Sequence, residues 1–477
     1  MKVIEEEKST KVKRKPNKIE AFSSLLFLII VVLIGNFFGG IGIGAPLALS
    51  IGYVSIIAWR CGYSWDDIKD AMSEKVTSIL DIFFILLGVG FLVAAWMFSG
   101  TIPTLITYMV KVINPDYVIV LTFILCAILS MIIGTGWGTA GTLGVVMIGL
   151  GLTLGVNMPA LAAAVGCGSH VGQILSPMAD MVNLTAVLGK KQPMDMAKRS
   201  AYFVIPTVII SIIVYLIVGF TSHASNTSLD EIDVIVSSMK EVFHISIFSL
   251  LPFVFLLILA VMKKPILPVL FSSGLIALVV GVFVNGFSLA DGLMVVHEGF
   301  SLSTLGIDSS TVNPIVVTLV ERGGMLSFAS VFVTLFLALG YAGIMVKIGS
   351  LDVIVTTLFG KIKNTVGLAV STCLVGIITA ASTSNSYLTL LLPVELLGEK
   401  YEQNGWDISN AAAVSGSVGT IIMMVIPWTT TGLYISEVTG VPILKFAPYA
   451  ILSYGCCIIA VITSFIKFGW EKKRTEI

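Results

Sequence analysis

Residues 172–191 read GQILSPMADMVNLTAVLGKK, placing an acid, amides, hydroxyls and a helix breaker side by side: Gln173, Ser176, Pro177, Asp180, Asn183 and Thr185. The rest of the chain has a different character. Its 477 residues are 56% hydrophobic and 12% charged, with a mean hydropathy of +1.00. That charged share is about half the usual value for a soluble protein. Several apolar runs reach the ~20 residues that a membrane-crossing helix needs. The runs are continuous rather than alternating, which excludes a β-barrel. The expected class is an all-α polytopic membrane protein. Its first run, AFSSLLFLIIVVLIGNFF (21–38), follows a charged segment and lacks a small-residue cleavage site. It reads as a retained span rather than a signal peptide.

Formal net charge is zero, so only the distribution of charge is informative. KSTKVKRKPNK (8–18), GKKQPMDMAKR (189–199), Lys263–Lys264 and EKKR (471–474) are basic, while SLDEIDVIVSSMKE (228–241) is acidic. The positive-inside rule assigns the basic segments to the cytoplasm and the acidic one to the outside. Spans near 22–38, 43–60, 201–221, 244–262, 265–286 and 448–466 fit that assignment. The resulting organisation is a basic cytoplasmic tail (1–20), a first transmembrane repeat (21–222), an acidic extracellular loop (223–243), a second, inverted repeat (244–467) and a basic cytoplasmic tail (468–477). Basic residues confined to loops and tails give no case for nucleic acid. The six cysteines lie in or beside apolar runs without zinc-ligand spacing, and read as packing residues.

The repeat is visible as a constant offset. Gly155 in GLTLGVNMPALAAAVG matches Gly405 in GWDISNAAAVSG, and 405 − 155 = 250. Pro177 matches Pro427, and Trp137–Gly138–Thr139 matches Tyr387–Leu388–Thr389, at the same offset. GYSWDD (62–67) matches GFSLAD (286–291) at offset 224, which places roughly 25 extra residues near 300–325 of the second half. The link at 189–199 is assigned inside, and its partner at 438–446 outside. The halves therefore face opposite ways, a signature of secondary transporters.

Four polar interruptions recur, two per half: GTGWGTAGTLG (134–144), GCGSHVGQILSPMADMVN (166–183), STSNSYLTLLLP (382–393) and SGSVGTIIMMVIPWTTTGLY (415–434). In hydrocarbon an unpaired backbone group costs several kcal/mol, so irregular backbone persists only in protein or beside a wet cavity. Opened helix ends offer N–H groups to anions and C=O groups to cations. The expected result is a midplane site built from broken helices. A glycine-rich packing face with proline kinks is the alternative.

Asp180 is the sharpest ion-binding candidate, since a mid-membrane carboxylate costs ~2.5–3.5 kcal/mol on insertion scales; an interfacial acid is the alternative. Gln173, Ser176, Asn183, Thr135 and Asn385 are neutral ligand candidates, or helix–helix hydrogen-bonding groups. Solute candidates are Trp137, Thr139, Ser384, Ser386, Tyr387, Trp428 and Thr429–Thr431 (Thr429, Thr430, Thr431). Trp428 is equally readable as an anchor. Glu321, Arg322, Glu395 and His170 are candidate proton or anion partners, against readings as a mutual pair, a helix-end acid and a packing histidine. Asp81 reads as interfacial. No GxxxxGK[ST] loop supports ATP hydrolysis and no HExxH motif supports zinc chemistry. An intramembrane enzyme remains a remote alternative. No metal beyond Na+ and no resident cofactor is expected.

GTGWGTAGTLGVVMIGLG (134–151), SPMADMVNLTA (176–186), ERGGMLS (321–327), YLTLLLP (387–393) and IPWTTTGLY (426–434) resemble, in order, the signature regions of NhaC-type Na+/H+ antiporters. The likeness runs from about residue 20 to residue 465. It implies secondary active transport, inverted repeats, two re-entrant hairpins, and a wider group that includes malate/Na+-lactate exchangers. Where that family commonly reads GDKMSPLSDTTN, this chain reads GQILSPMADMVN. Ser176, Pro177, Asp180 and Asn183 match, whereas an Asp–Lys pair becomes Gln173–Ile174 and two hydroxyl positions become Met181 and Val182. The expectation is Na+-coupled antiport in the cell membrane, with H+ and/or a small organic acid or amino acid exchanged. Symport is the alternative, and the more apolar site suits an organic solute. Lipid, Na+, and H+ or the solute are the expected partners, and a second copy of the chain is a candidate one.

Overall fold

The computed structural model describes residues 12–39, 42–222, 229–358, 362 and 364–473. The parts of the expected tails and acidic loop at 1–11, 223–228 and 474–477 lie outside the described residues. Among those described there is no strand, only one isolated bridge between Trp406 and Lys472. Ten helices are long and apolar enough to cross a membrane, or up to twelve if two bent pairs each count once.

The first half runs α1 (Lys18–Gly39), α2 (Gly44–Arg60), α3 (Trp65–Thr77), α4 (Leu80–Phe98), α5 (Thr101–Met109) and α6 (Val118–Ile133). After a break come α7 (Gly136–Thr139), a π turn (Ala140–Gly144) and α8 (Val145–Thr153), then α9 (Met158–Leu175), α10 (Asp180–Leu188) and α11 (Pro193–Thr221). α12 (Leu229–Val242) occupies most of the stretch expected as an acidic loop. Hydrophobic residues such as Ile235, Val236 and Met239 are buried on one face of it, which gives an amphipathic helix where charge alone suggested a loop. The second half holds α13 (Leu251–Val261), α14 (Ile266–Val280), α15 (Leu289–Glu298), α16 (Pro314–Val320), α17 (Ala329–Lys347), α18 (Ser350–Leu358), α19 (Thr365–Thr383), α20 (Ser386–Gln403), α21 (Ile408–Ile422), α22 (Thr430–Thr439), α23 (Ile443–Phe446) and α24 (Ile451–Ile466).

The 250-residue offset reappears in three dimensions. α6 ends at Gly134 (φ +82°) and α19 at Ser384 (φ +47°), both in the left-handed region. Gly155 and Gly405 have φ of +65° and +80°. Two residues on, Asn157 caps α9 and Asp407 caps α21. The 224 offset holds too: Ser64 and Ser288 cap α3 and α15, accepting the amides of Asp67 and Asp291. The segment 299–328 has no counterpart between α3 and α4, as the change of offset requires. The Gly155 turn sits at the C-terminal end of α11, where Asn157 donates to Ser222 and Tyr449 at 3.5 Å. The Gly405 turn sits at the other end, where Asp407 lies 3.7 Å from Lys191.

Helices of the two halves are exchanged in packing. α17 lies across α2 and α3, and α4 lies across α14 and α15. Buried polar groups tie these contacts: Tyr341 donates to the Ser24 carbonyl at 3.0 Å, and Trp96 Nε1 to Ser273 Oγ at 3.0 Å. Ser273 passes the chain on to the Pro252 carbonyl at 2.8 Å. The six cysteines are free, five buried and Cys457 half-buried.

α6 and α9 touch backbone to backbone. Gly168 rests on Phe123 and Gly172 on Ser130, whose hydroxyl accepts the Gly172 amide at 3.1 Å. Small residues at such a seam let helices approach closely in lipid. Gly172→Val should destabilise the protein by about 1–3 kcal/mol or more, because the new side chain meets backbone. Gly376→Ala, where nothing lies within 4 Å, should cause no loss. Melting temperatures in detergent check both outcomes.

Candidate functional site

The four polar interruptions are the places where helices stop: 134–135, 176–179, 384–385 and 426–429. Within each half the two breaks meet. A Cβ at Gly134 would come within 3.3 Å of the Met178 carbonyl carbon. Ser384 Oγ donates to the Trp428 carbonyl and Thr430 Oγ1 to the Ser384 carbonyl, each at 3.3 Å. Between halves, Tyr434 donates to the Trp137 carbonyl at 2.5 Å, and the two rings lie 4.4 Å apart.

Both pairs of breaks wall one cavity of about 380 Å3. Its polar lining includes Thr135, Gln173, Asp180, Ser384, Asn385, Ser386, Tyr387 and Thr430, with Trp137 among them. Ile79, Ile82, Ile85, Ile133, Met178, Met181 and Ile266 supply an apolar wall. Asp180 is the first residue of α10, and Ala179 before it provides no side-chain cap. The carboxylate therefore stands at the positive end of an uncapped helix, where negative charge is stabilised. α20 and α22 begin differently: Asn385 Oδ1 accepts the Leu388 amide at 3.0 Å, and Thr429 Oγ1 accepts the Gly432 amide at 3.3 Å.

Several expected ligands are not in the cavity wall. Ser176 is buried and donates to the Met131 carbonyl at 3.0 Å. Asn183 is exposed one turn along α10, outside the lining. Thr139 bonds back to the Thr135 carbonyl. Thr429 is committed to its cap and to the Ile426 carbonyl at 2.9 Å, and Thr431 is buried away from the wall. Trp428 is buried and donates to the Ala381 carbonyl at 2.7 Å, so it fastens the break to α19 rather than facing the cavity. His170 is buried within α9, with Nδ1 2.7 Å from the Gly166 carbonyl. Glu395 is exposed on α20 and lines no cavity described. Glu321 and Arg322 line a different cavity, at the far end of α22.

Two charged residues join the wall that sequence reasoning did not place there. Asp81, on the first turn of α4, and Lys264, just before α14, both line the cavity. Asp81 read as an interfacial acid and Lys264 only as an inside-loop marker. No spacing relates either to Asp180; the exchanged packing of α4 and α14 brings them together.

The sequence model of the Na+/H+ antiporter family matches residues 17–177 and 170–470, and the chain belongs to that family. It is 31% identical over 468 residues to an uncharacterized Na+/H+ antiporter of Haemophilus influenzae, covering 98% of this chain and 100% of that protein. It is 30% identical to the malate-2H+/Na+-lactate antiporter of Bacillus subtilis, over 97% of this chain and 98% of that one. It is 27% identical to the Na+/H+ antiporter NhaC of Alkalihalophilus pseudofirmus, over 90% and 91% of the two chains.

Trp428→Phe keeps the ring volume but deletes the bond to Ala381. It should lower stability by about 1 kcal/mol and leave solute affinity unchanged. Melting in detergent and the transport KM check the two parts separately.

Proposed function

We propose that this chain is a Na+-coupled antiporter whose ion site is the cavity between the four helix breaks. The observation that carries this reading is Asp180 at the uncapped start of α10, in a wall shared by both halves. Asp81 is the other carboxylate there. A carboxylate binds either Na+ or a proton, so occupancy by one excludes the other, and that competition is the basis of exchange. Thr135, Gln173, Ser384, Asn385 and Thr430 supply the neutral oxygens that Na+ needs. The coupling ions are Na+ and H+, with no resident cofactor, and the protein acts as a carrier rather than an enzyme.

The opposite placement of the Gly155 and Gly405 turns along α11 supports halves of opposed orientation. Lys191, Arg199 and Glu471 gather at one end of α11. The positive-inside rule makes that end cytoplasmic, along with both termini of the chain.

A second reading is that an organic acid is exchanged, alone or with H+. The cavity size favours it: about 380 Å3 is within the range of small-molecule sites and far exceeds the needs of a bare ion. Its isoleucine and methionine wall suits a carbon skeleton, and Lys264 suits a carboxylate. Symport would place the solute and Na+ there together.

Proteoliposomes with an imposed Na+ gradient and an internal pH dye decide among these readings. Asp180→Asn should slow Na+-dependent exchange at least about tenfold, since contacts to a charged group are worth about 1.5–3 kcal/mol. Unchanged Na+ dependence in that variant would reject Asp180 as the ion ligand. Full-rate proton counterflow without any organic solute would reject the second reading.

A further inference from the structure

At the Gly440 end of α22 lies a separate cavity of about 640 Å3. α4 contributes Val89 and Val93, and α22 contributes Glu437 and Val438. Much of the rest comes from 299–304 and 321–328, within the segment that the first half lacks. Its base is a tight glycine contact. Gly299, Gly323 and Gly324 hold φ of +116°, +80° and +88°, and the Gly324 amide donates to the Gly90 carbonyl at 2.9 Å. The Phe300 amide donates to the Arg322 carbonyl at 3.2 Å, fixing the two ends of the segment to each other.

Four charged side chains line this cavity: Glu298, Glu321, Arg322 and Glu437. Among the described residues none of the four is in an ion pair. Glu321 accepts from Ser301 Oγ at 3.2 Å and the Leu302 amide at 3.3 Å. Arg322 donates through Nε to the Thr318 carbonyl at 3.2 Å, leaving its two terminal nitrogens for something else. Glu298 and Glu321 are exposed and Arg322 and Glu437 half-buried, and opposite charges in such a partly solvated wall still gain by direct pairing. Here they share one cavity without touching, which is the arrangement expected when a ligand completes the pairs.

We propose that this cavity is a second solute site, for a small organic zwitterion. The ligand carboxylate binds the Arg322 guanidinium fork, its ammonium binds Glu437 and Glu298, and its carbon skeleton lies against Phe300 and Phe328. A carboxylate alone would face a wall of three acids and one base. A simple cation would leave the guanidinium unanswered. The volume is within the usual range for small-molecule sites.

The two cavities lie in series on α22. Thr430 faces the break cavity and Glu437 the second one, seven residues or ~10 Å along the helix. Tyr434 sits between them with its ring on Trp137. The second site thus adds a solute-binding step beyond the aromatic pair. It does not depend on the Na+-exchange reading.

The test is equilibrium binding of radiolabelled L-alanine and L-leucine to the purified full-length protein in detergent, with no ion gradient. Binding of at least one should be saturable and should weaken at least about tenfold in both Arg322→Gln and Glu437→Gln, as expected when one member of a hydrogen-bonded charge pair is removed. Propionate and 4-methylpentanoate carry only the carboxylate, and ethylamine and isopentylamine only the ammonium. Each should compete at least about tenfold less well than the matching amino acid. Arg322→Gln also removes the bond to Thr318, so size-exclusion and melting profiles accompany each variant. Glu437 makes no such bond and carries the test if the arginine variant misfolds. The proposal is overturned by absence of saturable binding of both amino acids, by unchanged binding in Glu437→Gln, or by equal competition from either single-charge series. Failure of Na+ exchange in vesicles would leave this binding result standing.

Discussion

Everything in this structure answers to one constraint: a backbone amide or carbonyl inside the apolar slab must find a partner within the protein. Four helices stop there, and each stop frees several such groups. The chain satisfies them by bringing the breaks together. Ser384 covers a carbonyl of the 426–429 break, Thr430 covers the carbonyl of Ser384, and Trp428 reaches back to Ala381. In the first half Ser176 covers the Met131 carbonyl, and Gly134 lets the hairpin tip lie against Met178 and Ala179. The cavity is what remains once these debts of hydrogen bonding are settled.

The two halves meet this constraint unequally. The second-half helices begin under side-chain caps from Asn385 and Thr429. Their first-half counterparts, α7 and α10, begin at Thr135 and Ala179 without one. Ala179 occupies the position of Thr429 at the 250-residue offset, so a hydroxyl that would close the helix end is replaced by a methyl. The open end is followed at once by Asp180, while the equivalent Thr430 is already bonded to Ser384. The half with fewer internal bonds is therefore the one that carries the charge.

Much of this was legible from the residues. Apolar run length gave the class, the polar interruptions gave the four breaks, and the offsets of 250 and 224 gave the matching turns and caps and the unmatched segment near 300–325. Those signals are local, or are repeated at fixed spacing, so a sequence can carry them. The inward or outward direction of a side chain at a break is not of that kind. Asn183 shares a polar motif with Asp180, and Trp428 and Thr429 share one with Thr430, yet only Asp180 and Thr430 among them line the cavity. Which residue turns inward depends on where the broken helix resumes, and that is set by partners about 40 to 50 residues away, such as Ala381 and Met131. Asp81 and Lys264 were hidden for a stronger reason. Their helices reach the site through packing exchanged between halves, which no periodicity records.

That exchange also explains why a single cavity serves both halves. α4 belongs to the first half by sequence but packs on α14 and α15, and α17 makes the reciprocal crossing onto α2 and α3. These crossed contacts hold the two halves of the chain together around the breaks. The unmatched segment 299–328 then falls beside α4 through its 325–328 turn, while its α16 packs on α8 and α12. Gly324 meets Gly90 of α4, whereas Gly343 of α17 rests on Ala71 of α3, where α3 runs to α4 without an insertion. The break cavity is thus shared by both halves of the chain. The second cavity takes much of its lining, Glu321 and Arg322 included, from the one large insertion, whereas the smaller cavity between α3 and α17 on the other side is lined by Glu74, Lys75 and Lys347.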